Sequence, residues 1–189
     1  MLVLASASPR RKELLRNAGI AFEVEPANIP EEALPGENAR PYAERLAREK
    51  ALAISQKHPN YAILGADTIV VVDNQILGKP ADAADAARML RLLSGRRHQV
   101  ITGICLIVNG EAKVGSETTS VVMSEISSAE IKSYIATGEP MDKAGAYAIQ
   151  GIASRWIPRI EGDYSNVVGL PVALVYRMLQ EAGILTPES

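Results

Sequence analysis

Asp67 is a carboxylate set inside an apolar stretch of the sequence. It separates residues 63–66 (ILGA) from residues 69–72 (IVVV). Burying a charge without a partner costs several kcal/mol, so Asp67 is expected to have a metal ion, a cationic neighbour or a shifted pKa. An aspartate that caps a turn or pairs with an arginine at the end of a strand would explain the pattern as well. Thr68 beside it also fits an ordinary β-branched strand residue.

Three cations lie at the start of the first predicted helix. Residues 8–12 read SPRRK, with Ser8 as the N-cap and Pro9 at the first helical position. The positive end of the helix dipole opposes cations there unless an anion is bound. Arg11 falls on the same helix face as Leu15, so its guanidinium is expected to point inward, where helix amides and arginines form a phosphate site. The alternative is a solvated basic turn whose side chains extend outward.

Lys50 is a second charged residue in an apolar pattern. On a helical wheel it lies at the centre of the apolar stripe to which Tyr42 and Leu46 belong. An ammonium group there needs an anionic partner, which is either a substrate or a buried acid such as Asp67, and the sequence favours neither. Lys79 is by itself a weak signal, because most lysines of this kind lie in surface loops.

The histidines and the cysteine are not expected to take part in chemistry. His58 and His98 lie in predicted loops without a cysteine or carboxylate at metal-ligand spacing, so both are interpreted as surface residues. Cys105 lies in an apolar strand pattern and is interpreted as a packing residue. The sequence contains no Walker A loop, no dinucleotide-binding glycine pattern and no nucleophile elbow.

Composition limits the class of protein. The 189 residues are 47% apolar and 22% charged, which is typical of a globular chain of one domain, or of one domain with a lobe. A net charge of −2 argues against a basic nucleic-acid-binding surface. The apolar runs are too short to cross a bilayer, the N-terminus does not resemble a signal peptide, and Cys105 is the single cysteine. A cytoplasmic protein without membrane association is therefore expected.

Hydrophobic periodicity and turn signals predict an α/β chain. Helices are predicted over residues 8–18, 38–57, 82–93, 127–138 and 171–182, the second with Arg45 and Glu49 paired on its outer face. Strands are predicted over residues 2–5, 61–72, 100–108 and 112–123, with hairpin turns at residues 73–74 and 109–110. Residues 143–169 are predicted to be mostly loop and strand. The pattern favours a mixed sheet flanked by helices, with functional groups in a cleft.

Five short motifs occur together in one order along the chain. They are residues 6–11 (SASPRR), 65–68 (GADT), 79–80 (KP), 98–103 (HQVITG) and 162–171 (GDYSNVVGLP). With them the chain closely resembles the Maf family of nucleotide pyrophosphatases over nearly its whole length, as a single domain of residues 1–189. The resemblance implies an elongated mixed sheet with a deep cleft, related to the fold of inosine triphosphate pyrophosphatases, and usually a homodimer. It also implies cleavage of a nucleoside triphosphate to the monophosphate and pyrophosphate.

Several residues of this sequence match the site of the Maf family. Asp67 matches its proposed catalytic position, and Glu31 matches an acid that helps to hold metal together with Asp67. The polar positions of the family's cleft are matched by Ser6, Arg11, Lys50 and Lys79. Relatives often carry an aspartate where this chain has Pro30, so the acid pair before the second helix is reduced here to Glu31 with Glu32 beside it.

Substrate choice is implied by a further part of the resemblance. Arg10, Thr68 and Gln150 match positions that separate the substrate subfamilies. Residues 142–151 (DKAGAYAIQG) are similar to the branch that acts on dTTP and UTP, whereas the branch that acts on 7-methyl-GTP has a different sequence there. The implied substrates are therefore dTTP and UTP, with modified pyrimidine nucleotides as further candidates.

The same residues fit this chemistry on physical grounds. Attack on the α-phosphorus needs an oriented water and cations that take up charge on the leaving pyrophosphate, and Asp67 with the cationic group supplies both. Mg²⁺ or Mn²⁺ is the ion expected with oxygen ligands. Whether Asp67 acts as a free base or only through a metal-bound water stays open.

Two other functions stay open at this point. One is a pyrophosphatase that acts on 7-methyl-GTP or on a broad range of nucleoside triphosphates. The other is a nucleotide-binding regulator of septum formation without significant turnover, since Maf proteins have also been linked to that process. Release of pyrophosphate by the purified protein separates the regulator from the enzymes.

Overall fold

The structure is a computed structural model that describes residues 1–185. Its helices are Pro9–Asn17 (α1), Ala39–Ser55 (α2), Ala83–Leu93 (α3), Ser128–Ala136 (α4), Tyr164–Val168 (α5) and Val172–Glu181 (α6). Its strands are Leu2–Leu4 (β1), Glu23–Val24 (β2), Ala62–Val72 (β3), Gln75–Leu77 (β4), Arg97–Val108 (β5), Glu111–Val122 (β6) and Arg159–Glu161 (β7). They form one mixed sheet in the order β2-β1-β3-β5-β6-β7, with β4 paired to β3. The predicted α/β class with a mixed sheet is confirmed, whereas the deep cleft and the likeness to inosine triphosphate pyrophosphatases stay predictions.

The chain divides into two compact units. The first comprises Met1–Thr68, Thr102–Glu117 and the chain from Gly169 onwards, and the second comprises Ile69–Ile101 and Thr118–Val168. Helices α1, α2 and α6 belong to the first unit, and α3, α4 and α5 belong to the second. Within residues 1–185, none of these helices is both long enough and apolar enough to cross a bilayer.

Strand β1 is the centre of a parallel arrangement in the first unit. It pairs in parallel with β2 and with β3, so that Val3 lies opposite Glu23 on one side and Ile63 on the other. Helix α1 connects β1 to β2, and α2 connects β2 to β3, because parallel neighbours need a long crossover. The residues that follow β1 therefore lie at the same end of the sheet as the middle of β3.

Helix α2 lies close against β3 and β5. A Cβ atom on Gly65 would overlap the carbonyl oxygen of Ala47, and one on Gly103 would overlap that of Ala43. Glycine is required at both positions because the helix backbone approaches the strands closely. This approach brings α2 directly onto the face of β3 to which Gly65 belongs.

The side chains of β3 alternate between two apolar clusters. Ile63 packs with Ala47 in a cluster that α2 covers, whereas Leu64 belongs to a cluster formed with α1 and α6. Successive side chains of a strand point to opposite faces. The Asp67 side chain therefore points to the face of β3 that α2 covers. The Thr68 side chain points to the opposite face, towards α1 and α6.

Both predicted hairpin turns are confirmed. Strands β3 and β4 are antiparallel, with Val72 opposite Gln75. The two residues between them, Asp73 and Asn74, have φ values of 48° and 62°. The turn at residues 109–110, between β5 and β6, has positive φ values of 52° and 83°. Two successive residues with positive φ are typical of the type I′ turn that asparagine and glycine favour.

The helix predictions agree with the structure except in the glycine-rich segment. Residues 143–169 are predicted to be mostly loop and strand, and the segment contains more short helix than this prediction implies. The segment contains the 3₁₀ helices Ala144–Ala146 and Ile152–Trp156, only one short strand, and α5. Helix α5 is capped by Asp163, whose Oδ1 accepts hydrogen bonds from the amides of Ser165 (2.7 Å) and Asn166 (3.3 Å). Such short helices depend on local caps and carry no periodic apolar pattern.

Candidate active site

Lys50 joins two carboxylates in the first unit. Its Nζ lies 2.7 Å from Oδ1 of Asp67 and 2.6 Å from Oε1 of Glu31. The side chains of Lys50 and Asp67 are each 9% exposed, whereas that of Glu31 is 42% exposed. The buried pair that the sequence allowed between Lys50 and Asp67 is therefore present, and Glu31 adds a second acid on the more exposed side of the ammonium group.

The position of this pair follows from the packing of α2 on β3. Tyr42, Leu46 and Lys50 recur every four residues on the buried face of α2. Gly65 allows this helix to approach the strand, and Asp67, two residues later, points to the same side. Asp67 therefore faces α2, where Lys50 supplies the cation that a buried carboxylate requires.

Burial and nearby charges act in opposite directions on Asp67. Desolvation raises the pKa of Asp67, while the charges of Lys50 and Arg11 lower it. Desolvation is the larger effect, so the pKa of this carboxyl lies above its ordinary value. A carboxylate with a raised pKa accepts a proton near neutral pH more readily than a surface aspartate does.

Arg11 is buried among neutral hydrogen-bond acceptors. Its Nε donates to the Gly169 carbonyl oxygen at 2.7 Å, and its terminal nitrogens donate to Oγ of Ser6 at 3.1 Å and Oγ1 of Thr68 at 3.0 Å. In the part of the chain that the structure describes, all its hydrogen bonds end on neutral oxygens. Burial lowers the pKa of Arg11, and the negative charge of Asp67 opposes this shift. A guanidinium held in this way keeps its charge available to an anion.

The N-terminus of α1 explains how Arg11 reaches this position. Ser8 caps the helix by accepting a hydrogen bond from the Arg11 amide at 3.4 Å, and Pro9 occupies the first helical turn. Oγ of Ser6 accepts a further hydrogen bond from the Ser8 amide at 3.3 Å. The prediction that Arg11 points inward is confirmed. Arg10 is half-buried.

Thr102 is a buried residue of β5 that the sequence did not single out. Its hydroxyl lies 2.9 Å from that of Thr68, which lies 3.2 Å from the Gly169 carbonyl oxygen. Thr102 therefore extends the polar group around Arg11. A threonine in a strand looks like any β-branched residue. The one signal available was its place in residues 98–103 (HQVITG).

Arg45 and Tyr42 hold the segment that carries Glu31. Arg45 forms two hydrogen bonds with the Glu37 carboxylate, both of 2.7 Å, and donates to the Glu32 carbonyl oxygen at 2.9 Å. The Tyr42 hydroxyl donates to the Glu31 carbonyl oxygen at 3.1 Å. Residues 25–38 contain neither helix nor strand. These contacts from α2 therefore determine where Glu31 lies, and no local sequence pattern indicates them.

Lys79 and Gln150 belong to the second unit. Lys79 is exposed and lies shortly after β4. Gln150 is exposed in a turn that is closed by a hydrogen bond of 3.1 Å from the Gly151 amide to the Ala148 carbonyl oxygen. Within residues 1–185, the Gln150 side chain makes no hydrogen bond, so its donor and its acceptor are both open to a ligand. The first unit holds the other predicted site residues, which are Ser6, Arg10, Arg11, Glu31, Lys50, Asp67 and Thr68.

A model of the Maf-like protein family matches residues 1–182. The chain belongs to the Maf family. Curated relatives of this Maf chain carry the name dTTP/UTP pyrophosphatase. The relative from Koribacter versatilis is 61% identical over 97% of this chain and 95% of its own length. Relatives from Symbiobacterium thermophilum and Anaeromyxobacter dehalogenans are 52% and 51% identical, over 96% and 98% of this chain and 94% and 96% of their own lengths.

A solved structure also overlaps with part of the Maf chain. It is that of a Vibrio cholerae protein, with a TM-score of 0.39 and 12% identity over 65% of this chain and 62% of its own length. This similarity is too low to support an argument about fold or function.

Two acids of the Maf chain bear on whether it can hold a divalent metal ion. Within residues 1–185, no group of three or more histidine, cysteine, aspartate or glutamate side chains could hold a metal ion. Glu31 and Asp67 nevertheless place two carboxylates around one ammonium group. Mg²⁺ is often held by one or two carboxylates together with substrate phosphates. The residues fit an ion that is shared with a triphosphate, and they do not fit an ion held by protein alone.

The histidines of the Maf chain are less exposed than the sequence suggested. His98 is 2% exposed, so its interpretation as a surface residue is wrong. Its Nε2 lies 2.7 Å from the hydroxyl of Tyr147, and burial lowers the pKa of His98 to about 4. His58 is half-buried, with its Nε2 2.5 Å from a carboxylate oxygen of Glu25. Cys105 is buried, as expected for a packing residue, and burial raises its pKa to about 11.

Proposed function

We propose that this chain is a nucleoside triphosphate pyrophosphatase that hydrolyses dTTP and UTP to the nucleoside monophosphate and pyrophosphate. The observation that carries the proposal is its 61% identity, over 97% of the chain, to a relative named dTTP/UTP pyrophosphatase. Relatives at 50–52% identity carry the same name. The chain spans at least 94% of each of these relatives, so the proposal concerns the activity of the whole chain.

Arg11 supports a phosphate ligand. A buried guanidinium is costly unless an anion compensates its charge, and its hydrogen bonds within residues 1–185 go to neutral oxygens. Those bonds hold the group in one orientation, and its position in the first turn of α1 adds the positive end of a helix dipole. A triphosphate oxygen would place an anion in direct contact with this guanidinium.

Asp67 is the proposed base. The oxygen of a water molecule forms a bond to the α-phosphorus, the bond from this phosphorus to the bridging oxygen of pyrophosphate breaks, and one water proton passes to the Asp67 carboxylate. The raised pKa of Asp67 favours the proton transfer. Arg11, Lys50 and Lys79 would offset the negative charge that builds up on the leaving pyrophosphate.

A divalent cation, Mg²⁺ or Mn²⁺, is proposed as the cofactor. Glu31 and Asp67 are the residues that would hold it, together with oxygens of the triphosphate. Such an ion would neutralise phosphate charge during the reaction. Lys50 contacts both carboxylates, so its ammonium group keeps them close together before a nucleotide binds.

Gln150, with Arg10 and Thr68, is proposed to select the nucleobase. A glutamine amide donates and accepts at once, which matches the edge of uracil or thymine, where a carbonyl lies beside the N3 hydrogen. The Gln150 side chain is exposed and its amide makes no hydrogen bond within residues 1–185. A site that hydrogen-bonds its base rejects a mismatched base strongly, because its buried polar groups are then left unpaired.

A panel of nucleoside triphosphates, assayed for pyrophosphate with Mg²⁺ or Mn²⁺, tests the proposal. The kcat/KM values for dTTP and UTP are expected to exceed those for ATP, GTP and 7-methyl-GTP by at least roughly a hundredfold. Faster turnover of 7-methyl-GTP than of either pyrimidine nucleotide would overturn the assignment of dTTP and UTP as substrates. The assignment of pyrophosphatase activity would still hold. Absence of pyrophosphate with every nucleotide would overturn the enzyme and favour the regulator of septum formation.

Location in the cytoplasm and assembly as a homodimer complete the proposal. Both come from the sequence and its resemblance to the family. Light scattering on the purified protein would give the mass of the particle, to be compared with 20.2 kDa for one chain. Cell fractionation would test the location.

A further inference from the structure

Two side chains hold the turn that carries Gln150. The Tyr134 hydroxyl accepts a hydrogen bond of 3.3 Å from the Ala148 amide, and the Glu139 carboxylate accepts bonds of 3.1 and 3.3 Å from the Ile152 amide. Tyr134 also donates to Oε1 of Glu139 at 3.0 Å. The two amides that flank residues 149–151 are therefore bound by one connected pair, which we name the Tyr134–Glu139 clamp.

The clamp is itself fixed by its surroundings. Tyr134 is 1% exposed and packs edge-on against Trp156, with ring centroids 5.3 Å apart. Trp156 is held by a hydrogen bond of 3.2 Å from its Nε1 to the carboxylate of Glu130, which caps α4. A side chain with these contacts has one orientation, so the hydroxyl of Tyr134 is a fixed point for the turn.

Gly151 leaves the space that the clamp needs. A Cβ atom on this residue would overlap Oε1 of Glu139. The φ of Gly151 is −97°, a value that any residue adopts. Glycine is therefore needed here because the carboxylate lies against the backbone of the turn, and not because of backbone conformation.

We propose that the Tyr134–Glu139 clamp is a positioning device for Gln150 and that it thereby determines which nucleobase is accepted. The inference rests on the proposed function, in which Gln150 hydrogen-bonds the base. The Gln150 amide makes no hydrogen bond within residues 1–185, so we infer that the backbone of the turn sets the direction of this side chain. Small displacements of a recognition group weaken its hydrogen bonds steeply, because these depend on distance and angle.

Two variants disturb the clamp from opposite sides. Tyr134→Phe removes the hydroxyl that binds the Ala148 amide and keeps the ring on Trp156. Gly151→Ala displaces the Glu139 carboxylate. Tyr147→Phe is the matched control, since it also removes a buried tyrosine hydroxyl next to the turn, but one that is bonded to His98.

The ratio of kcat/KM for dTTP to kcat/KM for GTP is the quantity to measure. It does not depend on the folded fraction, because the same enzyme molecules turn over both nucleotides. Tyr134→Phe and Gly151→Ala are each expected to lower the ratio about tenfold, mainly by slowing dTTP, as the loss of one well-formed hydrogen bond would. Tyr147→Phe is expected to leave it within about twofold of the wild type. Amide hydrogen exchange at Ala148 and Ile152 is expected to accelerate in the two clamp variants.

Ratios within about twofold of the wild type in both clamp variants would overturn the inference, and so would an equal loss in Tyr147→Phe. These results leave the proposed function intact as long as the wild type prefers pyrimidines. A wild type that shows no preference for dTTP over GTP would instead overturn the proposed substrate, and the specificity role of the clamp with it.

Discussion

Nζ of Lys50 and Oδ1 of Asp67 lie 2.7 Å apart, and each side chain is 9% exposed. Each charge compensates the other, because a buried ion without a partner is strongly destabilising. Burial still raises the pKa of the Asp67 carboxyl, so Asp67 can accept a proton more readily than a surface aspartate although it is paired. Changing one partner or both therefore separates the contribution of the pair to stability from its contribution to reactivity.

Asp67→Asn is expected to abolish pyrophosphate release while the protein stays folded. The amide keeps the shape of the side chain and can still accept a hydrogen bond from Lys50, but it cannot take a proton from water. A loss of about a thousandfold in kcat/KM is the scale expected for a general base. Steady-state kinetics with dTTP, together with thermal unfolding, measures both effects.

Asp73→Asn is the matched control for this change. It makes the same substitution directly after β3, at a turn residue whose side chain is 57% exposed. Its activity should equal that of the wild type. Activity of Asp67→Asn within about tenfold of the wild type, with normal unfolding, would exclude Asp67 as the base.

Lys50→Met is expected to destabilise the protein at neutral pH. Asp67 then stays buried without its cation, and breaking such a pair costs about 3 to 5 kcal/mol in the free energy of unfolding. Loss of the ammonium group also raises the pKa of Asp67 further, since Lys50 lowers it in the wild type. A folded-state pKa above the unfolded one means that stability is present at low pH and is lost as the pH rises.

Urea unfolding at pH 5 and pH 7 tests this dependence. The difference in the free energy of unfolding between Lys50→Met and the wild type should be smaller at pH 5. The double variant that also carries Asp67→Asn should recover most of the stability that Lys50→Met loses at pH 7. A single variant that is as stable as the wild type at pH 7 would mean that the pair contributes nothing to folding.

Arg45→Met is expected to loosen residues 25–38 and lower activity. Arg45 binds Glu37 and the Glu32 carbonyl oxygen in a segment without helix or strand, and this segment positions Glu31. Removal of several charge-assisted hydrogen bonds in an ordered loop should reduce kcat/KM about tenfold. A glutamate-specific protease should also cut the variant faster after the glutamates of this segment.

Arg48→Met provides the comparison for Arg45, because Arg48 is an exposed arginine of the same helix. Its cleavage rate and its activity should match those of the wild type. Equal cleavage of the two variants within residues 25–38 would mean that Arg45 does not hold the segment.

His98 is expected to make the protein less stable in mild acid. Burial lowers its pKa from the ordinary 6.5 to about 4, so the unfolded chain binds the proton first as the pH falls. The neutral, buried His98 contributes roughly 3 kcal/mol to the free energy of unfolding. This contribution is complete above pH 6.5 and is lost as the pH falls from 6.5 to 4. Unfolding measured across this range should change less steeply in His98→Phe. An identical slope in the variant would exclude His98 as the group responsible.

The charged residues of the site could be predicted because they break local patterns. Asp67 interrupts a strand, Lys50 interrupts a helical stripe, and Arg11 lies on the apolar side of α1, so each is conspicuous within a few residues of sequence. The structure buries all three and pairs two of them. Periodicity likewise located most helices and strands, since burial of one face imposes it.

Residues with distant partners could not be predicted in the same way. His98 depends on Tyr147, which lies 49 residues further along the chain. Thr102 follows the strand pattern and becomes part of the site through its contact with Thr68. Arg45 does pair with Glu49 as the helical spacing predicts, but its contacts with the segment before α2 have no local signature. Tertiary contacts of this kind leave no periodic trace in a single sequence.

The side chains of Asp67 and Thr68 point to opposite faces of β3. This arrangement restricts where insertions and deletions can occur in the sequences of this family. One residue inserted or deleted between Ala62 and Asp67 would exchange the two faces of β3, turning the hydroxyl towards Lys50 and the carboxylate towards Arg11. No single later substitution would restore both the carboxylate next to Lys50 and the hydroxyl next to Arg11. Alignments of active relatives should therefore have no gaps in this stretch, while gaps can accumulate at the tip of the β5–β6 hairpin, where residues 109–110 carry no site group.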